Sequence, residues 1–413
     1  MNADGLFGQQ PDNHKEGFVK LSMEIIDQTR NEFNNYLQPY LAMMDKPRQK
    51  VLPELIEGIL SSGSCLIAES ARQIDPENLA TTERRFLRTL ESPHWDETNL
   101  WIAHLKQTAP FIQQDTLITA DITDLAKPHA QKMEALATVR EGSKKQLTKG
   151  YWMLSMTASL PNRKILPLTH EVFSQESDEF KSQNHILFFW AECLLYLTHN
   201  KGIFVIDRGG DGDPTFNFFL DQKADFLIRI NANRLLLSEG IPVTFSTPSK
   251  LPFNLRKTLG RRHPNISFDW QTVKLPHREE ALTLLRVRNF EDRGPIFILT
   301  SRCVRTLKDA ALLIDAYFER WQIEESFRFL KQQLRLEKFL IRNFRAIQRF
   351  FFILCIAWGF LSRFLRLKRF QKLLESLSFS FPKKKIKFFY YQWFRGLQFV
   401  LLLFHTLQFL EVI

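Results

Sequence analysis

The hydrophobic pattern changes period along the chain. From Phe18 to about Leu105 apolar residues recur at helical spacing. Leu55, Ile56, Ile59 and Leu60 share one side of a helix, residues 61–64 (SSGS) read as a turn, and Leu66, Ile67 and Ala71 open a second helix. A third, at 82–90, carries Arg84, Arg85 and Arg88. This helix-turn-helix outline reads either as a DNA-docking module or as an ordinary helical hairpin. Residues 1–16 are polar, without the apolar core of a signal peptide, and read as disordered.

Near residue 115 the pattern shortens to strands. Residues 116–120 form a β-prone run that delivers Asp121. Residues 151–160 and 164–169 predict two more strands, 179–197 a helix, and Ile203–Ile206 a wholly apolar strand that delivers Asp207. A helix over 214–224 and a strand over 225–230 complete a βββαβαβ order. Short apolar strands bounded by helices suit a buried, mixed central sheet in an α/β fold. Residues 232–294 hold several prolines and two β-like runs, 266–273 and 282–287, and read as a β-rich insertion. A basic knot, Arg261, Arg262 and His263, precedes the first run. Residues 295–300 return as a strand that leads into a helix at 317–331.

Beyond about 340 the pattern is helical, with aromatic and basic residues interleaved: Arg363, Arg366, Lys368 and Arg369, then Lys383, Lys384, Lys385 and Lys387. The longest apolar run, 350–361, is shorter than the ~18 residues of a membrane span and reads as buried helix. The divisions expected are a helical N-terminal domain with the helix-turn-helix outline (1–110), an α/β core in two parts (111–231 and 295–345), the insertion (232–294), and a helical C-terminal segment (346–413).

Composition adds two constraints. Lys and Arg exceed Asp and Glu by 56 to 45, a formal +11, which favours a polyanion such as nucleic acid. The 4 cysteines form no Cys-x-x-Cys pair, which argues against a zinc site or a disulfide framework and fits a reducing, cytoplasmic setting.

The candidate chemistry lies in the 317–331 helix, YFERWQIEESFRFLK. At about 100° per residue, Tyr317, Arg320, Glu324 and Lys331 share an arc of about 60°. A phenol, a guanidinium, a carboxylate and an ammonium in one column suit a surface that meets phosphate. A solvated helix with an Arg320–Glu324 pair is the plainer alternative. Glu325 points about 100° away from Glu324. Asp121, Asp207 and Glu324 are hard oxygen donors suited to Mg²⁺ or Mn²⁺. Two such ions can activate a nucleophile and stabilise a leaving oxygen. Arg208, Gly209, Gly210 and Asp211 follow the second acid; the glycines permit close backbone approach, and a turn or cap role suits Asp211.

On these residues, over roughly 50–345, the chain resembles bacterial insertion-sequence transposases of the DDE type, in the branch with a Tyr-x2-Arg-x3-Glu-x6-Lys signature. Tyr317, Arg320, Glu324 and Lys331 match that spacing. Asp207-Arg208 is similar to the opening of the family's second acidic motif, which often continues Glu-Ala-Asp where this chain has Gly209-Gly210-Asp211. Asp121-Ile122-Thr123-Asp124, with Lys127-Pro128 after it, is similar to the first, and Asp121 is favoured over Asp124 as its ligand. The resemblance implies a ribonuclease-H-like core flanked by helices. It implies Asp121, Asp207 and Glu324 as ligands of two Mg²⁺ or Mn²⁺ ions, with Tyr317, Arg320, Lys331 and Arg208 on DNA. It further implies transposon-end cleavage, joining of the 3′-OH ends to target DNA, and a homodimer pairing two ends, with no membrane partner. Some members cleave through a hairpin helped by aromatic residues in the insertion, where this chain has Phe268 and Trp270. The competing expectations are a catalytically silent DNA-binding remnant, suggested by the Phe-rich tail, and a peripheral membrane protein that uses that tail.

Overall fold

The computed structural model describes residues 12–142, 144–161, 164–244, 253–255, 266–289, 294–364, 368, 371–372 and 390–411. Arg261, Arg262, His263, Arg366, Arg369, Lys383, Lys384, Lys385 and Lys387 lie outside the described residues, as do 1–11. The chain opens on helices α1 (Asp12–Leu41), α2 (Lys46–Ser62), α3 (Ile67–Ile74), α4 (Leu79–Glu91) and α5 (Glu97–Thr108). Residues 12–16 are therefore helical rather than disordered. The Asp45 carboxylate caps α2 by accepting from Arg48 N, and Gly63, at φ 63°, ends it. The turn thus falls at 63–66, two residues later than expected, because Ser61 and Ser62 complete α2. A β-carbon at Gly58 would stand 2.8 Å from Ser70 O, and this close approach lets α3 fold back at 101° to α2.

The sheet begins with β1 (Leu117–Ala126), β2 (Ala137–Glu141), β3 (Gln146–Leu160) and β4 (Lys164–Phe173). Helix α6 (Gln183–Thr198) leads to β5 (Ile203–Ile206), and α7 (Asp213–Asp221) to β6 (Asp225–Ile230). β1, β5 and β6 run parallel, whereas β3 is antiparallel to both β1 and β4. β7 (Leu236–Ser238) and β8 (Ile241–Val243) form a small hairpin. The strands β9 (Phe253–Leu255), β10 (Ile266–Val273), β11 (Leu282–Asn289) and β12 (Ile296–Thr300) add to the far edge through β12, which pairs with β6. The complete order is β2-β3-β1-β5-β6-β12-β11-β10-β9, with β4 also paired to β3. The expected β-rich stretch thus extends the central sheet edge to edge.

Strand alternation sorts the sheet into two faces. Phe204, Ile206, Phe226 and Ile228 point into a large core; Ile203, Val205 and Leu227 point into a smaller one. The smaller face is covered by α8 (Leu307–Glu319), through Ala310, Ile314 and Tyr317 at helical spacing. The larger core runs without a break from Ile26 of α1 to Val400, and includes α9 (Trp321–Gln333), α10 (Phe344–Phe364) and α11 (Tyr390–Glu411). α10 is long and apolar enough to cross a membrane, but 83% of its apolar window is buried inside the protein. It is the central helix of the large core.

Candidate active site at the carboxyl ends of β1 and β5

The parallel register of β1 and β5 ends at Ala120↔Ile206, so Asp121 and Asp207 are the next residues on two adjacent strands. β1 does not stop there, contrary to the sequence expectation. It continues to Ala126 because antiparallel β3 goes on pairing with it, Asp121 lying opposite Ser155. Only the β5 side of β1 opens at Asp121, which leaves space for the carboxylates. Asp207 then caps a short 3-10 turn, accepting from Gly209 N at 2.7 Å. A β-carbon at Gly209 would stand 2.9 Å from the Asp207 carboxylate, and one at Gly210 would stand 2.7 Å from Ile206 Cγ2. Both positions therefore favour glycine. Arg208, just before them, is exposed. Asp211 accepts from Asn231 N at 2.7 Å and pairs with Arg234 at 3.0 Å, tying two loops together.

The signature helix is broken. α8 ends at Glu319 and α9 begins at Trp321, with Arg320 as the shared cap and backbone bonds of the i→i−3 type on both sides of it. The cause is a change of core. The buried stripe of α8 is Ala310, Ile314 and Tyr317, and its continuation would be 321, 324, 328 and 331. In α9 the buried stripe is instead Ile323, Phe327 and Leu330, which face the large core. The chain crosses from one side of the sheet to the other at Arg320. The abandoned stripe, now past the strand ends, carries Glu324 and Lys331. Tyr317 remains on the core side of that crossing, 5% exposed, with its hydroxyl within hydrogen-bonding reach of Arg320. Burial raises the Tyr317 pKa above its ordinary value, so it meets the site as a neutral phenol.

Arg320 joins the acids. Its Nη2 donates to Glu324 Oε1 at 2.7 Å, and its Nη1 lies 3.5 Å from Asp121 Oδ2. Lys331 belongs to a neighbouring group, with Nζ 3.5 Å from Asp124 Oδ2 and 3.0 Å from Glu337 Oε1. Arg335, in the left-handed region at φ 50°, turns the chain after α9 and brings Glu337 back beside Lys331. Lys127 fixes that turn: its Nζ donates to Glu337 O at 2.8 Å and to Phe339 O, and sits 3.4 Å from the Phe339 ring centroid. Glu325 points elsewhere, buried against Arg328. In the β-rich stretch Phe268 is fully buried in the smaller core, and Trp270 stacks beside it at 6.5 Å. Phe268 is thus a core residue rather than an available wedge.

The charges explain the behaviour of Asp121. Burial, then the nearby Asp207 carboxylate, raise its pKa to about 7, and Glu324 adds to the effect against Arg320 and the Ile122 amide. Asp121 is therefore influenced by both other candidate acids, while Asp124 is held by Lys331 and by Gly142 N at 3.4 Å. Among the described residues no three His, Cys, Asp or Glu stand close enough to share one ion. The donor chemistry nevertheless fits a divalent cation. The acids are hard oxygen ligands, and the burial and like charge that push up the Asp121 pKa favour positive charge beside it. The guanidinium of Arg320 stands between Asp121 and Glu324 and supplies part of that charge.

The sequence singles out Asp121, Asp207, Arg208, Tyr317, Arg320, Glu324 and Lys331, and the structure places them along β1, just after β5, or in α8–α9. The sequence did not point to Glu337 or to the anchoring role of Lys127. Glu337 lies beyond the end of α9, where helical periodicity carries no signal.

Comparison with known proteins agrees with the residues. Residues 175–360 match the family model described as transposase DDE domain; Asp207 and the whole α8–α9 signature fall inside the match, and Asp121 lies before it. No curated protein matches the chain. Among solved structures, the piggyBac transposase synaptic complex with hairpin DNA, determined by cryo-EM, superposes with a TM-score of 0.47 at 10% identity. That superposition covers 87% of this chain and 73% of the other. Residues 175–360 are thus similar to a transposase DDE domain, in agreement with the DDE-type signature in the sequence.

Proposed function

We propose that this chain is a DDE transposase that binds transposon-end DNA, cleaves it by metal-dependent hydrolysis, and joins the 3′-OH ends to target DNA. What supports the reading is that Asp121 and Asp207 follow the last paired residues of two adjacent parallel strands, and that Arg320 pairs with both Asp121 and Glu324. The strand order β4-β3-β1-β5-β6, with β3 antiparallel, supports a ribonuclease-H-like core. The division into an N-terminal DNA-binding unit, a two-part core, an insertion and a C-terminal segment belongs to the same proposal.

In this reading Asp121, Asp207 and Glu324 hold two Mg²⁺ or Mn²⁺ ions. Bound there, the ions supply Lewis-acid stabilisation of the attacking and leaving oxygens of an in-line displacement. The protein's own groups do the rest. Tyr317, neutral and fixed in the smaller core, offers a hydroxyl to a phosphate oxygen. Arg320 and Lys331 supply cations on one side of the acids, and exposed Arg208 supplies one on the other. Gly209 and Gly210 let a DNA strand approach the backbone beside Asp207. The formal charge of +11 favours capture of end and target DNA, as two copies pairing two ends in the bacterial cytoplasm, without a membrane.

The test is a cleavage and strand-transfer assay with the inverted repeats that flank the gene, in Mg²⁺ or Mn²⁺. Nicked ends and joined products are expected. End binding without cleavage at any metal concentration favours the DNA-binding remnant instead.

A further inference from the structure

Every cation of the signature column is held by a carboxylate of the protein itself. Arg320 bridges Asp121 and Glu324, and Lys331 lies between Asp124 and Glu337. The two arrangements differ in kind. Lys331 is held by acids outside the proposed metal set, in a turn anchored by Lys127. Arg320 is held by two of the acids that the proposed function assigns to metal. Its side chain is only 15% exposed, so a phosphate cannot engage the guanidinium fully while both pairs persist.

We propose that Arg320 is a placeholder cation that couples metal binding to DNA binding. In the metal-free protein its guanidinium balances Asp121 and Glu324. A divalent cation at those carboxylates displaces it, and the released guanidinium turns to a DNA phosphate. Each ligand then favours the other, because metal frees the arginine for phosphate and phosphate draws the arginine off the metal ligands. Such coupling is reciprocal: the factor by which metal tightens DNA equals the factor by which DNA tightens metal. Arg320 is the single residue between α8 and α9. The inference rests on the proposed metal-binding role of Asp121 and Glu324.

The experiment measures Mn²⁺ affinity by electron paramagnetic resonance, and end-DNA affinity by fluorescence anisotropy in EDTA and in Ca²⁺. In the wild type Ca²⁺ should tighten end DNA about tenfold, within the usual range of coupling between sites. Arg320→Ala should bind Mn²⁺ more tightly than the wild type, because the competitor is gone, and its DNA affinity should be weaker and independent of Ca²⁺. Arg320→Lys should keep part of the coupling, and melting curves of both variants confirm folding. Lys331→Ala should leave Mn²⁺ affinity unchanged, since its ammonium is tied to other acids. Mn²⁺ affinity in folded Arg320→Ala equal to or weaker than wild type overturns the placeholder role but leaves the metal site standing. Absence of Mn²⁺ binding in wild type and variant alike overturns both.

Discussion

Beneath α10, His104 and His170 are fully buried and uncharged; where the pairing of β1 with β5 ends, Asp121 and Arg320 are mostly buried and keep charges in play. His104 is satisfied on both ring nitrogens, by Tyr40 at 2.9 Å and Pro167 O at 3.0 Å, and burial lowers its pKa to about 4. His170 bonds Ser155 at 3.0 Å, stacks on Trp358, and is lowered to about 3, again chiefly by burial. Desolvation acts on both regions. The core responds by giving up charge. The strand ends gather like charges and balance them with an arginine at a helix junction. Only the second arrangement leaves something for a ligand to exchange.

The largest effect expected is on chemistry. Asp121→Asn or Glu324→Gln should reduce end cleavage by at least about a hundredfold, comparable with the loss of one electrostatic stabiliser elsewhere. The readout is single-turnover cleavage of labelled end DNA, with melting curves to show that folding is retained.

The two regions should also respond to pH with opposite sign. The histidines have folded pKa values below the ordinary 6.5, so the unfolded chain binds protons first. Their contribution to stability is present above about pH 6.5 and is lost as pH falls toward 4, at up to about 1.4 kcal/mol per pH unit for each. Asp121 is raised from 3.8 to about 7, so the folded protein binds the proton more tightly. Its contribution is present at low pH and is lost as pH rises from about 4 to 7. Denaturant titrations in EDTA should show Asp121→Asn more stable than wild type by about 2 kcal/mol near pH 7.5, a figure discounted for partial exposure, with no difference near pH 4. Equal differences at both pH values would remove the electrostatic account of Asp121.

Gly359→Ala tests the core alone. A β-carbon there would stand 2.4 Å from Tyr36 Oη, whose hydroxyl donates to Ile356 O at 3.0 Å. Overpacking of this kind costs about 1–3 kcal/mol. The loss should appear in denaturant midpoints while Mn²⁺ affinity stays unchanged. The smallest effect belongs to Glu337→Gln, which removes one of two carboxylates from Lys331. Stability should change by less than about 1 kcal/mol. The freed charge should steepen the salt dependence of DNA binding by about one unit of logarithmic slope.

Much of the site was legible in the sequence because its parts are local. Ile203–Ile206 is an apolar strand that ends at Asp207, and the Tyr317 to Lys331 spacing falls within one short stretch. What was not legible depends on partners distant in the chain. β1 reaches Ala126 only because β3 pairs with it, and β2 is a short edge strand whose alternation rests on Ala137 and Val139. The break at Arg320 follows from two cores on opposite faces of one sheet, which no helical wheel contains. The burial of α10 was legible from its apolar run at 350–361, whereas its place in one core with the sheet and α1 was not.

The most direct measurement is the anomalous scattering of a crystal soaked in Mn²⁺. The account predicts density between the carboxylates of Asp121 and Asp207, in contact with Glu324, with the Arg320 guanidinium moved aside. Density at Asp124 and Glu337 instead, or no density at the strand ends in a soaked crystal, would contradict it.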